Sequence, residues 1–147
     1  MKLRRAVCLA GACLAAAPAC AFADVKQDAL VAEINSARQA HGLAALSTSK
    51  SLNRSASGFA GQLMRDNWFG HAGAIEAGGG FRTLGEALSL HSGKRPRYAA
   101  TVRGWLASPG HRGLVLSTGF TRVGAGMARG PFNGQPSTIW VLHLGAY

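Results

Sequence analysis

Hydrophobic residues in the first half of the chain recur at helical spacing. One face of a helix beginning near Asp28 is formed by Leu30, Ile34, Ala37 and His41. Gly42 is placed to end that helix, and His41 in its last turn is placed to interact with the helix C-terminus. The pattern therefore predicts a first amphipathic helix that buries one side.

A second helix is predicted after the serines of residues 47–51, which are suitable N-cap residues. Its apolar face is marked by Leu52, Ala56, Phe59, Ala60, Leu63, Met64 and Trp68. A small, glycine-rich loop is predicted for residues 72–80. The next stretch is apolar around Glu86, which we expect either at an exposed helix edge or held by partners. His91 lies among polar residues and is predicted to be solvated.

A third helix is marked by the stripe Tyr98, Val102, Trp105 and Leu106. Pro109 cannot continue this helix and favours an extended Ser108, and Gly110 then permits a change of direction. His111 is therefore expected at a fixed exit beside a packed Trp, where it is either a site residue or a cap on the last carbonyls.

The period changes to that of strands after His111. Val123, Ala125 and Met127 alternate with small residues, and residues 139–144 alternate as well. Asn133 and Gly134 signal a turn within a loop predicted to exceed two residues. Helices followed by strands indicate an α+β fold in one domain, residues 24–147.

Residues 1–23 have the features of a secretory signal peptide. A basic start precedes an apolar run, and Ala21 and Ala23 form an A-x-A cleavage signal. The three cysteines, Cys8, Cys13 and Cys20, all lie in this segment, so neither a disulfide nor a thiolate metal site is expected afterwards. Lipidation at Cys20 is the alternative processing. We expect a secreted or periplasmic monomer without a transmembrane segment.

The charge narrows the expected partners. The chain has 16 Lys and Arg against 6 acidic residues, and three of the cations precede residue 24, which leaves 13 − 6 = +7. A basic exported domain is drawn to anionic envelope polymers or lipid headgroups. The densest run, Lys94 to Arg97, lacks a nucleic-acid-binding motif, so no nucleic acid is expected, and a solvated basic loop is the simpler interpretation.

Together, these motifs resemble the CAP superfamily, also called the SCP or pathogenesis-related domain, in its short bacterial secreted form. The matches, in family order, are Leu30, Asn35, Arg38, Gly42, Leu43 and Leu46; Leu52, Ala56 and Ala60; Phe69, Gly70 and His71; Gly85, Glu86 and Ala87; residues 105–112; and residues 120–126. Ala87 replaces the asparagine that is usual in the family.

The resemblance implies a three-layer α-β-α sandwich with a central antiparallel sheet. It also implies a cleft with two histidines and two acidic residues. Carried over by position, the histidines are His71 and His111, and one acidic residue is Glu86. The position after the Trp helix is Ser108, which is not acidic, so the tetrad is incomplete. Glu76 could reach in from its loop.

Two imidazoles and one carboxylate suit a divalent cation, zinc most readily. The resemblance therefore implies a metal site at His71, Glu86 and His111. Their spacing is not a local metal motif, so the fold must supply the geometry. The alternative is a hydrogen-bonded polar cluster that orders the cleft.

Two functions follow from these expectations. The first is a non-catalytic binding module whose cleft, lined by Trp68, Phe69, Trp105 and Ser108, holds a small apolar, lipid-like or envelope ligand, as the resemblance implies. The second is a zinc-dependent, protease-like hydrolase in which Glu86 is a ligand or the general base. A Ser108, His111 and Glu86 relay is the weakest option, because no oxyanion hole is evident. The missing second carboxylate favours the binding module.

Overall fold

A computed structural model of the chain describes residues 20–147, with side chains from residue 25 onward. Its elements are, in order, α1 (Cys20–Ala40), β1 (Ser47–Thr48), α2 (Lys50–Arg65), β2 (Thr83–Ser92), α3 (Tyr98–Ala107), α4 (Pro109–Val115), β3 (Arg122–Phe132) and β4 (Gln135–Ala146). Most of the predicted signal peptide, with Cys8 and Cys13, lies outside the described residues, and Cys20 begins α1. Among the described residues, no helix is both long and apolar enough to cross a membrane.

The four strands form one sheet in the order β1-β3-β4-β2. Strand β4 pairs antiparallel with both β2 and β3, whereas the two-residue β1 runs parallel to β3. Helix α2 covers one face with a core that includes Leu63 and Ile139. The other helices cover the opposite face, where Leu30, Trp105 and Leu142 share a second core. The predicted α+β, α-β-α sandwich is therefore confirmed.

Helix α2 lies unusually close to the sheet because two glycines of β3 face it. A Cβ atom on Gly124 would lie 2.2 Å from the backbone of Leu52, and one on Gly126 would lie 2.2 Å from the backbone of Ala56. Real Cβ atoms essentially never lie within 3.0 Å of another heavy atom in this way. These glycines therefore set the distance between α2 and the sheet.

Local signals at helix ends are confirmed. Ser49 caps α2, where its Oγ accepts from the backbone N–H of Leu52, and Gly42 ends α1 with a φ of +71°. The β3–β4 loop, in contrast, is shorter than predicted. Phe132 pairs with Gln135, so Asn133 and Gly134 alone form the turn, and both have positive φ. Pro131 and Pro136 pair within the hairpin, because a proline near a hairpin end removes only one ladder donor.

Three other expectations are wrong. Helix α2 ends at Arg65 because Asn67 adopts a left-handed conformation, so Trp68 is not part of its buried face. The helix edge expected as one alternative for Glu86 is wrong, because the stretch is strand β2; the other alternative, a carboxylate held by partners, is confirmed. His91 is half-buried, and its Nε2 contacts the hydroxyls of Ser89 at 3.0 Å and Thr101 at 2.7 Å.

Candidate functional site

Glu86 is the centre of the candidate site. It lies on β2 directly opposite His143 on β4, so both side chains project from the same face of the sheet. Glu86 Oε2 accepts from His143 Nε2 at 3.0 Å, and the two side chains are only 6% and 1% exposed. The alternating pattern of residues 139–144 predicts a strand here but does not identify His143 as a site residue.

The second oxygen of Glu86 binds the loop that follows α2. Glu86 Oε1 accepts from His71 Nδ1 at 2.8 Å and from the backbone N–H of Ala72 at 3.0 Å. His71 is 61% exposed, so the pair joins a buried carboxylate to a solvent-facing imidazole. Both oxygens of Glu86 are therefore used within the protein.

These partners control the ionisation of Glu86. Burial alone would raise the pKa of Glu86, but hydrogen bonds from His143, His71 and the Ala72 backbone outweigh burial and hold the pKa below its ordinary value. Glu86 is therefore ionised at neutral pH and accepts hydrogen bonds only. The nitrogens that face it on His71 and His143 consequently carry protons.

Helix α2 completes the cluster from the opposite side of His143. Ser55 Oγ lies 2.9 Å from His143 Nδ1, and Phe59 stacks on the same imidazole with ring centroids 6.4 Å apart. Every polar atom of this buried histidine thus has a partner. A series of hydrogen bonds thus runs from α2 to the surface through Ser55, His143, Glu86 and His71.

His111 lies near this cluster without bonding to Glu86. It is in α4, a short helix that begins at Pro109, and not in a helix-ending turn as expected. Its ring centroid is 6.4 Å from that of His71. Burial, and then the neighbouring charge of His71, lower the pKa of His111.

The donor set fits a metal only in part. No three His, Cys, Asp or Glu side chains of the described residues are placed as a ready metal site. Two imidazoles on one tetrahedral zinc have centroids about 5 Å apart, so His71 and His111, at 6.4 Å, would have to approach by about 1 Å. Because His71 Nδ1 is bonded to Glu86, only its Nε2 is left to face a cation. This is the usual arrangement of a histidine ligand oriented by a carboxylate.

A cavity of about 530 Å³ opens beside the cluster. It is lined by α2, by the loop of residues 71–78 and by His143, and Phe59, Trp68, Ile75 and Glu76 are among its walls. The ring of Trp68, 51% exposed, covers Gly70, where a Cβ atom would come within 2.5 Å of it. More of the cavity wall is apolar than polar, and its polar residues are Ser51, Arg54, Ser55, Gln62, His71, Glu76 and His143.

Of the four residues predicted for the cleft, only Trp68 lines this cavity in the described part of the chain. Trp105 is instead a core residue, 2% exposed, and its Nε1 donates to the carbonyl of Leu88 at 2.8 Å. Phe69 is exposed, and Ser108 is the residue between α3 and α4. The Ser108–His111–Glu86 relay is not assembled, since Glu86 bonds His71 and His143.

Comparison with protein families matches residues 31–144 to the CAP family, described as the cysteine-rich secretory protein family. Comparison with curated proteins finds no match.

Solved structures share the fold at low sequence identity. An outer surface protein of Borrelia burgdorferi is 22% identical, with a TM-score of 0.64 over 80% of this chain and 90% of that one. An extracellular protein of Bacillus anthracis containing an SCP domain is 20% identical, with a TM-score of 0.68 over 86% of this chain but 42% of that one. A venom allergen-like protein of Schistosoma mansoni is 12% identical, with a TM-score of 0.59 over 83% and 90%.

Proposed function

The chain belongs to the CAP (cysteine-rich secretory protein) family, and from that premise we propose that it is an exported, non-catalytic binding protein for a small apolar or lipid-like ligand. The observation that carries this proposal is the cavity of about 530 Å³ beside Glu86, with Phe59, Trp68 and Ile75 in its walls. Cavities of this size and character suit small ligands. The two bacterial relatives, described as outer surface and extracellular proteins, support export.

The state of Glu86 argues against a catalytic role. A general base needs a free oxygen and a pKa near the working pH. Both oxygens of Glu86 accept hydrogen bonds within the protein, and its pKa is lowered. Glu86 is therefore better suited to order the cavity wall than to accept a proton from substrate.

Gly58 offers a direct test of the cavity. It lies on the exposed side of α2, lines the cavity, and has no atom within 4 Å of a Cβ position. Gly58→Trp should fill the cavity and abolish binding of a fluorescent long-chain fatty acid, while α2 remains folded. Gly104→Trp on α3, which is also unobstructed, is the matched control and should bind as wild type. Equal binding by wild type and Gly58→Trp, or no binding by wild type, would overturn the proposal.

The zinc-dependent hydrolase is the second candidate, and the carboxylate-oriented His71 favours it. His71 and His111 would hold the cation, with Glu86 behind His71, and the cation would supply Lewis acidity. Exposed Glu76 in the cavity wall is then the carboxylate free to accept a proton. Peptide hydrolysis that is lost in Glu76→Gln and with a chelator would support this candidate over the binding module.

A further inference from the structure

A second binding surface lies at the hairpin end of the sheet, away from the cavity. Five exposed cations lie on or between the elements that reach this end, and they define what we call the basic end: Arg65, Lys94, Arg95, Arg97 and Arg129. Arg65 and Arg129 line one shallow depression, and Arg129 Nη1 donates to the carbonyl of Lys94 at 3.3 Å. On β4, Ser137 at this end is about 20 Å from His143. The cavity and the depression share no lining residue, so we treat them as two sites.

The loop that carries three of these cations is held in place by its backbone. Gly93 exchanges hydrogen bonds with β4, to the carbonyl of Pro136 and from the hydroxyl of Thr138. Trp140 Nε1 donates to the carbonyl of Pro96 at 2.8 Å. The loop is therefore ordered before any partner binds, which lowers the entropic cost of binding.

Arg97 has a strained backbone. Three non-glycine residues in the described chain have positive φ, and the other two, Asn67 and Asn133, are of the type that tolerates it. Arg97 has a φ of +50° at the N-cap of α3, and its side chain makes no capping hydrogen bond. An arginine with this backbone conformation destabilises the fold, and such strain is typical of functional positions.

The basic end carries little compensating charge. Between residues that the structure describes, no Lys or Arg side chain is within ion-pair distance of a carboxylate, and both carboxylate pairs are made by histidines. Asp66, which caps α2 beside Arg65, is the acidic residue at this end. All five cations are exposed, so their charge is available to a partner.

We propose that the basic end binds a linear phosphate polymer without nucleobases, since its basic run lacks a nucleic-acid-binding motif. Four of its five cations are arginines, whose planar guanidinium groups bind phosphate oxygens in pairs. None of the large exposed apolar residues, Val25, Trp68, Phe69, Leu90 and Tyr147, lines the depression between Arg65 and Arg129. A membrane surface is therefore the less suitable partner, because nothing here would insert into it.

The test uses the full chain, inorganic polyphosphate as the probe, and two double variants with the same charge. Arg97→Asn/Arg129→Gln removes two cations of the basic end. Lys50→Gln/Arg82→Gln removes two elsewhere, since Lys50 begins the helix that Arg65 ends and Arg82 precedes β2. Each cation contributes about fivefold to the affinity, so the Arg97→Asn/Arg129→Gln variant should bind polyphosphate about 25-fold more weakly and with a smaller salt dependence. The second pair should change binding less than about twofold.

Arg97→Asn alone separates a binding role from a structural one. Asparagine relieves the strained backbone, so the melting temperature should stay the same or rise while polyphosphate affinity falls. If both double variants weakened polyphosphate binding equally, the effect would come from net charge alone, and the proposal would be overturned. Tighter binding to phosphatidylglycerol vesicles, or to a single-stranded oligonucleotide, than to polyphosphate would also overturn it.

Discussion

His143 and Glu86 face each other across adjacent strands and share a hydrogen bond of 3.0 Å between Nε2 and Oε2. This buried pair connects the sheet to the exposed His71 on one side and to Ser55 on the other. It is the structural support of the site, whichever ligand the cavity takes.

His143→Ala should reduce the free energy of unfolding by about 3 kcal/mol, because it leaves the Glu86 carboxylate buried with one partner fewer. Urea unfolding would measure the loss. His41 is the control: it is exposed, its Nδ1 contacts the carbonyl of Ala37 and its Nε2 lies 3.4 Å from Arg112 Nη2, so His41→Ala should lose less than about 1 kcal/mol. Similar losses in both variants would contradict a special role for the buried pair.

Stability should fall as the pH is lowered, in two stages. The pKa values of His91 and His111 are lowered, by burial first and then by the charges of Arg97 and His71 respectively. Below pH 6.5, the ordinary pKa of histidine, these two histidines therefore take up protons in the unfolded chain but not in the folded chain, so stability falls. The contribution of Glu86 to stability is complete above pH 4.5, the ordinary pKa of a glutamate. It is lost as the pH falls through the lowered pKa of Glu86 in the folded protein.

Urea midpoints measured from pH 8 to pH 3 would reveal both stages. Glu86→Gln should remove the acidic stage and leave the stage near pH 6 in place. A midpoint that rises between pH 7 and pH 5 would show that the histidine shifts have the opposite sign.

Gly126→Ala should destabilise the protein by about 3 kcal/mol, because the new methyl group would overlap the backbone of Ala56 and force α2 off the sheet. Gly104→Ala is the matched control, since it lies on α3 with no atom within 4 Å. It should stabilise by up to about 1 kcal/mol through helix propensity. Equal effects in thermal unfolding would mean that α2 is not closely packed on β3.

Zinc titration by calorimetry tests the histidine pair. Binding should be abolished by His71→Ala and by His111→Ala, and weakened about tenfold by Glu86→Gln, which would disturb the orientation of His71 without removing a ligand. His41→Ala should bind as wild type. Binding that survives His71→Ala, or is absent from wild type, would leave the cluster with a purely structural role.

Local signals in the sequence predicted most of the fold. Ser49, Gly42 and the helical stripes define helix ends and buried faces through contacts between near neighbours in the chain. His143 could not be found in this way, because its role depends on the register that sets it opposite Glu86, and strand alternation gives a side-chain face but not a partner. The prediction that Trp105 lines the cleft was wrong for a related reason. Its indole N–H donates to the Leu88 carbonyl in the core, and this pairing exists only after folding.

The close contact between α2 and β3 also constrains how the chain folds. Ala125 donates its backbone N–H to Asn53, 72 residues earlier in the sequence. The strands that α2 needs are the last two elements of the described chain, so a nascent chain that ends before β3 has no sheet on which α2 can dock. Folding therefore waits for the C-terminal hairpin, and such long-range closure makes folding slow relative to helical proteins of similar size. Until then, the apolar face of α2 stays accessible to chaperones.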